Sequence, residues 1–577
     1  MDKQRAIHLI DTAMGREKAD LVIHNAKLVD VFTLSVFTSS LAVKDGYIAS
    51  VEEGVEGIEE VDAGGRYVVP GLIDAHCHIE SSHLSPSEYS DAIVPQGTTT
   101  VVADPHEICN VCGLDGLRYM LSASEETALS VFLMFPSCVP ATPFEHSGAV
   151  LEAEDIEKHI GHPRVLGLGE MMNYVGVDAA DGKVLDKLET CWKRGKNIDG
   201  HAPSLTGTAL DAYVSAGITT DHECQTAEEL REKVRKGMYV MLRQGTACRN
   251  VLPLLPGLDD SNFRRVLFCT DDCQPTTIKE EGALISGIRL AIGAGLDPLK
   301  ALSMATLNAS VCYSLDDRGA LCPGRRADFF LTSDLSTLDA EEVYVLGRLV
   351  AKDGRIIRKA PHVEPLSVTG MMNVKDFSKA KLSLRLESER ARAIDIIPGG
   401  VVTGEAHVTV KRDEDGEWVH DAGQDVLKIA VIERHKGTGN AFTSLIRGYG
   451  LKHGAVATSI GHDSHNLLAV GDNDDDMAAA LEKLISIGGG ITMVRDGENL
   501  GTHLLEIGGL MTDAPLEEVT ECLEEMHKTA YEILGVNRAI DPFMTLCFMA
   551  LPVIPKLKIT DTGLFDVSAF RFVDNSL

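Results

Sequence analysis

The sequence predicts an α/β protein: a (β/α)8 TIM-like barrel, a composite β-sandwich domain and an α+β C-terminal domain. The barrel rests on eight short apolar runs: GLIDAHCH (71–78), TTTVVADP (98–105), LSVFLMFP (129–136), VLGLGE (165–170), NIDGHA (197–202), ITTDHE (218–223), MYVMLRQG (238–245) and RVLFCTDD (265–272). Helix-like segments such as PSEYSDAIVPQG, LDKLETCWKRGK, GTALDAYVSAG and AEELREKVRKG separate them. Eight β/α repeats over roughly 250 residues have the period of such a barrel. Continuous Val/Ile/Leu runs suit strands buried on both faces.

Two further observations place the other domains. Strand-like patterns flank the barrel: ADLVIHNAKLVDVFT and SSLAVKDGYIASVEEG precede it, with Lys44-Asp45-Gly46 as a hairpin signal, and 319–357 follows it. The barrel is then an insertion into a β-sandwich. Beyond the loose stretch KAPHVEPLSVTG, strand patterns (DVLKIAVIERH, GITMVRDG) mix with helical ones (DDDMAAALEKLISIG, LEEVTECLEEMHKTAYEILG). The expected limits are 1–69 plus 320–370 for the sandwich, 70–319 for a metal-dependent barrel and 371–577 for the C-terminal domain.

The chain of 577 residues carries 54 Lys plus Arg against 86 Asp plus Glu, a formal charge of −32. Such an acidic chain is a poor partner for a phosphate backbone, so no nucleic acid is expected. No apolar run reaches the roughly 18 residues that span a bilayer, and the N-terminus MDKQRAIHLIDTAMGREKAD lacks a hydrophobic signal core. A cytoplasmic protein without membrane contact is expected. The 13 scattered cysteines read as reduced thiols. Cys109 and Cys112 form a lone C-x-x-C with no second pair to complete a zinc ribbon.

Polar residues gather at the ends of the barrel runs: His76, His78, Glu170, His201, His222, Glu223, Asp271 and Asp272. His76 and His78, two apart on a strand, point to one side. Singly, each residue has an ordinary reading as a core histidine, a helix-start carboxylate or a cap. Together they fall on the C-terminal rim, where such barrels carry chemistry. Four imidazoles and two carboxylates suffice for two divalent ions, with Glu170 offering an oxygen to each. The mixed N/O set suits zinc, manganese or ferrous iron better than magnesium or calcium. Two metals sharing a water lower its pKa. Asp271 would accept that water's proton, and Glu223 would pass a proton to the substrate. Asp104-Pro105-His106-Glu107 closes the second strand and offers His106 and Glu107, with Asp272, as substrate-binding residues, with a structural role behind the site as the alternative for His106. His462-Asp463-Ser464-His465 looks like a metal site in miniature, and His462, Asp463 and His465 are candidates to support the active site from behind.

PGLIDAHCHIESS, the GLGE strand, GHA, DHE and TDD resemble the amidohydrolase superfamily. TTTVVADPHEICNVCG, SCVPATPFE, GLGEMMNY, DGHAPSLTG, MYVMLRQGTACRN, ATLNAS and SIGHDSHNLLAVGDN extend the resemblance to the adenine deaminase family over nearly the whole chain. That resemblance implies the barrel fold, a small β-sandwich and a family-specific C-terminal domain. It implies two metals, typically manganese or iron, and conversion of adenine and water to hypoxanthine and ammonia in purine salvage. His76, His78 and Asp271 would serve one ion, His201 and His222 the other, and Glu170 both. Activated water would attack C6, Asp271 would take its proton, and Glu223 would protonate a ring nitrogen. Choosing Asp271 over Asp272 rests on the family pattern. Large barrel enzymes of this type are commonly homo-oligomers.

The chain departs from that pattern in places. Thr270-Asp271-Asp272-Cys273-Gln274-Pro275 stands where TDDRHP is expected, Ala283 where a histidine is expected, and His83 and Gln96 where Met and His are frequent. These changes admit another 6-substituted purine, such as N6-methyladenine, as substrate. A cyclic amide hydrolase of the dihydroorotase type would use the same metal pair, but the GLGE carboxylate and the C-terminal domain speak against it. A non-catalytic scaffold is opposed by intact ligands at every expected position. His78-Ile79-Glu80 also matches the H-x-E of zinc nucleobase deaminases, but the chain has no P-C-x-x-C to accompany it.

Overall fold

The computed structural model describes residues 2–577. It opens with a helix, Lys3–Ala13, that the strand-like patterns gave no hint of; Asp2 caps it by accepting the Arg5 N–H. The flanking β-segments then join in one hydrogen-bonded sheet of nine strands. Its seam is Phe329–Thr332 running antiparallel to Tyr67–Pro70, which pairs residues on either side of the intervening α/β region. Leu21, Ile23, Val68, Phe329 and Leu331 pack its apolar core.

Between these halves lie the strands that carry the rim residues: β1 (Leu72–His78), β2 (Thr98–Ala103), β3 (Ser130–Phe135), β4 (Val165–Met171), β5 (Asn197–Gly200), β6 (Thr220–Asp221), β7 (Tyr239–Arg243), β8 (Val266–Cys269) and β9 (Asp271–Asp272). They form a six-stranded parallel sheet, β5-β4-β3-β2-β1-β9, and a three-stranded parallel sheet, β6-β7-β8. The two sheets meet at both ends. Next to β6, the Thr219 N–H donates to Ile198 O on β5 at 3.0 Å. Between β8 and β9, Thr270 gives its N–H and hydroxyl to the Asp74 carboxylate of β1 at 3.1 and 2.6 Å. Asp271, at φ +59°, adopts the left-handed conformation beside this junction. Every residue of β1, β2, β8 and the end of β4 is buried, as continuous apolar runs require.

Beyond residue 371 an eight-stranded, mostly antiparallel sheet is covered by the helix Asp474–Ile487, which buries Met477, Ala480, Leu481 and Leu484. Asn473 caps that helix by accepting the Asp476 N–H. Arg434, fully buried, donates to the carbonyls of Met371, Ser459, His465 and Gly508, and so holds the segment 459–465 in place. Among the described residues no helix is long and apolar enough to cross a membrane. The 13 cysteines are free, and burial pushes the Cys112 thiol up to about 12, which leaves the C-x-x-C pair without an activated thiolate.

One ion pair holds the backbone under two rim histidines. Lys233 and Asp221 are both fully buried, with Nζ 2.8 Å from Oδ2. Lys233 also donates to Ala202 O, and Asp221 accepts the N–H groups of Ala202 and Glu223. Burial would raise the Asp221 carboxyl, but the Lys233 charge brings it down to about 2 from 3.8. Its stabilisation is therefore complete above about pH 3.8 and lost as the pH falls toward 2. Lys233→Met leaves that carboxylate unpaired and should lower stability at pH 7 by about 3–5 kcal/mol. Thermal melts should show the deficit shrinking as the carboxylate protonates in acid.

Candidate active site

The rim brings seven predicted residues to one point. On β1, His76 and His78 turn Nε2 toward each other at 3.2 Å. Both lie against Glu170 Oε1 from β4, at 3.1 and 3.0 Å. Asp271 Oδ1 stands 3.6 Å from His76 Nε2 and 2.9 Å from His78 Nε2. The other Glu170 oxygen, Oε2, faces His201 Nδ1 at 2.8 Å and His222 Nε2 at 3.6 Å. One carboxylate thus turns one oxygen to each histidine pair. The His76 and His222 rings stack at 4.3 Å, closing the gap between the pairs.

The donor chemistry fits divalent cations. Glu170 Oε1 is buried without a hydrogen-bond partner, although two imidazole nitrogens converge on it. The His78 Nδ1–H donates to Asp104 O at 2.9 Å, which leaves the Nε2 lone pair directed at the cluster. Asp104 also accepts the Glu170 N–H at 2.9 Å, and the Ser137 hydroxyl donates to Glu170 O at 2.5 Å. The bridging carboxylate is therefore held from behind. Groups suited to a cation within this cluster include His76, Glu170, His222 and Asp271; His201, His222 and Glu223; and His78, Asp271 and Asp272.

Charge balance comes from a residue the sequence patterns did not single out. Arg243, buried at the end of β7, donates through Nη1 to both Glu223 and Asp271. Burial opposes ionisation of Asp271, yet the Arg243 guanidinium and the two β1 imidazoles hold it well below the usual carboxylate range. Glu223 is lowered against burial chiefly by Arg243, and Glu170 against burial by the surrounding imidazoles. Asp272 moves the other way, raised by burial and by the neighbouring Asp271 charge. Its Oδ1 accepts the Ser81 hydroxyl at 2.5 Å.

Residues 67–352 match the amidohydrolase family, and residues 400–571 match the adenine deaminase C-terminal domain. An adenine deaminase 2 of Desulfotalea psychrophila is 50% identical over 99% of this chain and 99% of its own. The adenine deaminase of Ligilactobacillus salivarius is 47% identical over 100% of both chains, and that of Geobacillus kaustophilus 44% over 98% of both. The chain belongs to the adenine deaminase family.

In this family member the second-strand motif meets the C-terminal motif. The His106 ring lies between Asp104 Oδ1 (3.4 Å) and Glu107 Oε1 (3.5 Å), and 4.0 Å from Glu170 Oε1. His462 Nδ1 approaches Glu107 Oε1 at 2.8 Å, and His465 Nε2 contacts Glu107 Oε2. Asp463 is buried in the same cluster, where burial pushes its carboxyl up to about 6. A cavity lies here, lined by Glu107, Asp272 and Gln274 together with Ile460, His462 and Phe548. The His462 ring stacks on Phe548 at 4.5 Å. No strand or helix pattern could have announced the meeting of Glu107 with residues 355 and 358 positions later. Arg243 was visible as the charged end of the seventh apolar run, MYVMLRQG, the one run whose terminal charge had no assigned task.

The departures from the family pattern separate in space. Gln96 Oε1 accepts the Ala283 N–H at 2.7 Å, and its Nε2 donates to Ile278 O at 3.2 Å. Two departures are thus one structural contact, and neither residue lines the cavity. Cys273 is buried in the apolar core. Only His83 and Gln274 belong to the cavity wall. Gln96→Ala should therefore lower the melting temperature, by the loss of hydrogen bonds worth about 1–2 kcal/mol, while the KM for a substrate bound in the cavity stays unchanged.

Proposed function

We propose that the protein is a metal-dependent adenine deaminase, which converts adenine and water to hypoxanthine and ammonia. The observation that carries this reading is the Glu170 carboxylate with one oxygen toward each histidine pair, in a chain whose relatives are named adenine deaminase along their whole length. His76, His78 and Asp271 would hold one divalent ion, His201 and His222 a second, and Glu170 would contribute to both. Mn2+ or Fe2+ suits the set, and Zn2+ is compatible with it. Such ions would supply Lewis-acid activation of the attacking water.

The protein's own groups manage the protons. The Asp271 carboxylate, kept ionised by Arg243, accepts the proton of the water that adds to C6. Glu223 is ionised at rest for the same reason, so it delivers to the ring nitrogen only a proton it has first taken up. The C6–O bond forms, the amino group takes the proton held by Asp271, and the bond from C6 to that amino nitrogen breaks to release ammonia. The proton left on the C6 hydroxyl passes to Glu223 as the carbonyl forms, replacing the one given to the ring nitrogen. His106, Glu107 and Asp272 contact the base, and His462, Asp463 and His465 brace Glu107 from the C-terminal side.

The parallel sheets form a closed (β/α)8 barrel in this reading, with β8 and β9 as one interrupted strand. The Thr219–Ile198 and Thr270–Asp74 bonds at the two junctions support closure. The domain limits follow as 1–69 plus 320–370, 70–319 and 371–577. The enzyme is a cytoplasmic homo-oligomer that binds a small purine base. The Gln96–Ala283 contact lies away from the cavity, so these two departures give no support to N6-methyladenine as an alternative substrate.

The test is direct. Protein purified with manganese supplied and iron limited should release ammonia from adenine, and a chelator should abolish it. Metal-loaded protein that leaves adenine untouched would overturn the reading and turn the search to other 6-substituted purines. Asp271→Asn should retain the fold while turnover falls by about 10²–10⁴-fold; near wild-type rates would remove Asp271 as base. Glu170→Ala should lose metal by elemental analysis, and full binuclear occupancy there would rule out the bridge.

A further inference from the structure

Glu80 lies on the short 3-10 turn Ile79–Ser82 that follows β1 and is 3% exposed. Its Oε1 accepts the Ile108 N–H at 3.1 Å, in the first turn of the helix His106–Cys112. That bond alone would make Glu80 a structural cap. Its second oxygen, Oε2, is buried with no hydrogen-bond partner among the described residues. Leaving such a group unpaired costs about 1–3 kcal/mol or more, so an unpaired carboxylate oxygen in a native fold calls for a partner that arrives later. Glu80 belongs to the cavity wall together with Ser81, Glu107 and Asp272, and apolar Ile460, Met544 and Phe548 line the same cavity. A wall of this kind takes the flat face of an aromatic ring and leaves its polar edge to the carboxylates.

Neutral adenine has only two kinds of hydrogen-bond donor: the 6-amino group and the N–H of its imidazole ring. The 6-amino carbon must stand at the metal-ligating cluster to react, so the remaining donor needs an acceptor elsewhere on the wall. We propose that Glu80 Oε2 accepts the imidazole-ring N–H of the free base and thereby selects a free purine over one substituted at N9. A nucleoside has no such proton and would leave the buried oxygen unpaired, the arrangement that rejects a ligand most strongly. This inference rests on the deaminase reading above.

Glu80→Gln keeps an oxygen for the Ile108 N–H and puts an amide donor at the second position, where it opposes the ring N–H. In the metal-loaded full-length enzyme, this variant should raise the KM for adenine about 10- to 100-fold, the cost of leaving a buried donor unpaired, with kcat changed less than about threefold. Metal content and melting temperature should match wild type. The inhibition constant of 9-methyladenine, which has no ring N–H to give, should move by less than about threefold. An unchanged KM for adenine, or equal weakening of both ligands, overturns the assignment of Glu80 alone. Wild-type enzyme that leaves adenine untouched overturns the deaminase reading and this one with it.

Discussion

A single buried carboxylate organises the rim. Glu170 has its charge inside the protein, where an unpaired ion is expensive, and it is tolerated because imidazoles approach both oxygens. Its backbone is tied on both sides, by Asp104 at the N–H and by Ser137 at the carbonyl. This fixes which oxygen faces which histidine pair. The strand β4 that carries it reads GLGE, and the small residues serve close approach: a Cβ at Gly169 would lie 2.1 Å from the Asp104 carboxylate. The side chain that holds the Glu170 amide therefore needs a glycine next to it.

Arg243 solves a related electrostatic problem. Asp271, Glu223 and Glu170 put three carboxylates within one small volume, and like charges so placed raise one another's pKa. The guanidinium reaches two of them from β7 and keeps both ionised. Arginine suits this place because its charge is permanent and its donors fan out in a plane. Asp272, one residue along and without that partner, is raised instead. Two adjacent aspartates thus acquire opposite tendencies from their surroundings, which is the physical basis for telling them apart.

The C-terminal sheet contributes to the same cavity. Glu107, at the end of the second strand motif, is gripped by His462 and His465, and the segment that bears them is held by Arg434 through backbone carbonyls. The Asn466 amide also donates to His146 O, and the His146 imidazole pairs with Asp561 at 2.6 Å. These contacts tie the loop after β3 to the far end of the chain. Half of the cavity wall is consequently supplied by residues after 459, so the pocket is a property of the whole chain.

The sequence by itself determined the strands and the rim. Apolar runs of four to eight residues ending in His, Asp or Glu recur along the chain because parallel strands are buried on both faces and expose polar groups only at their ends. His76, His78, Glu170, His201, His222, Glu223 and Asp271 were legible for that reason, and the long motifs tied them to a family. Tertiary structure alone decided what depends on distant segments meeting. The orientation of the two Glu170 oxygens, the Arg243 bridge, the contact of Gln96 with Ala283 and the grip of His462 and His465 on Glu107 belong here. Periodicity encodes which face a side chain takes on its own element. Which side chain of another element stands opposite is fixed only by packing, and hydrogen bonds and pKa shifts, falling off over a few ångströms, follow from that alone.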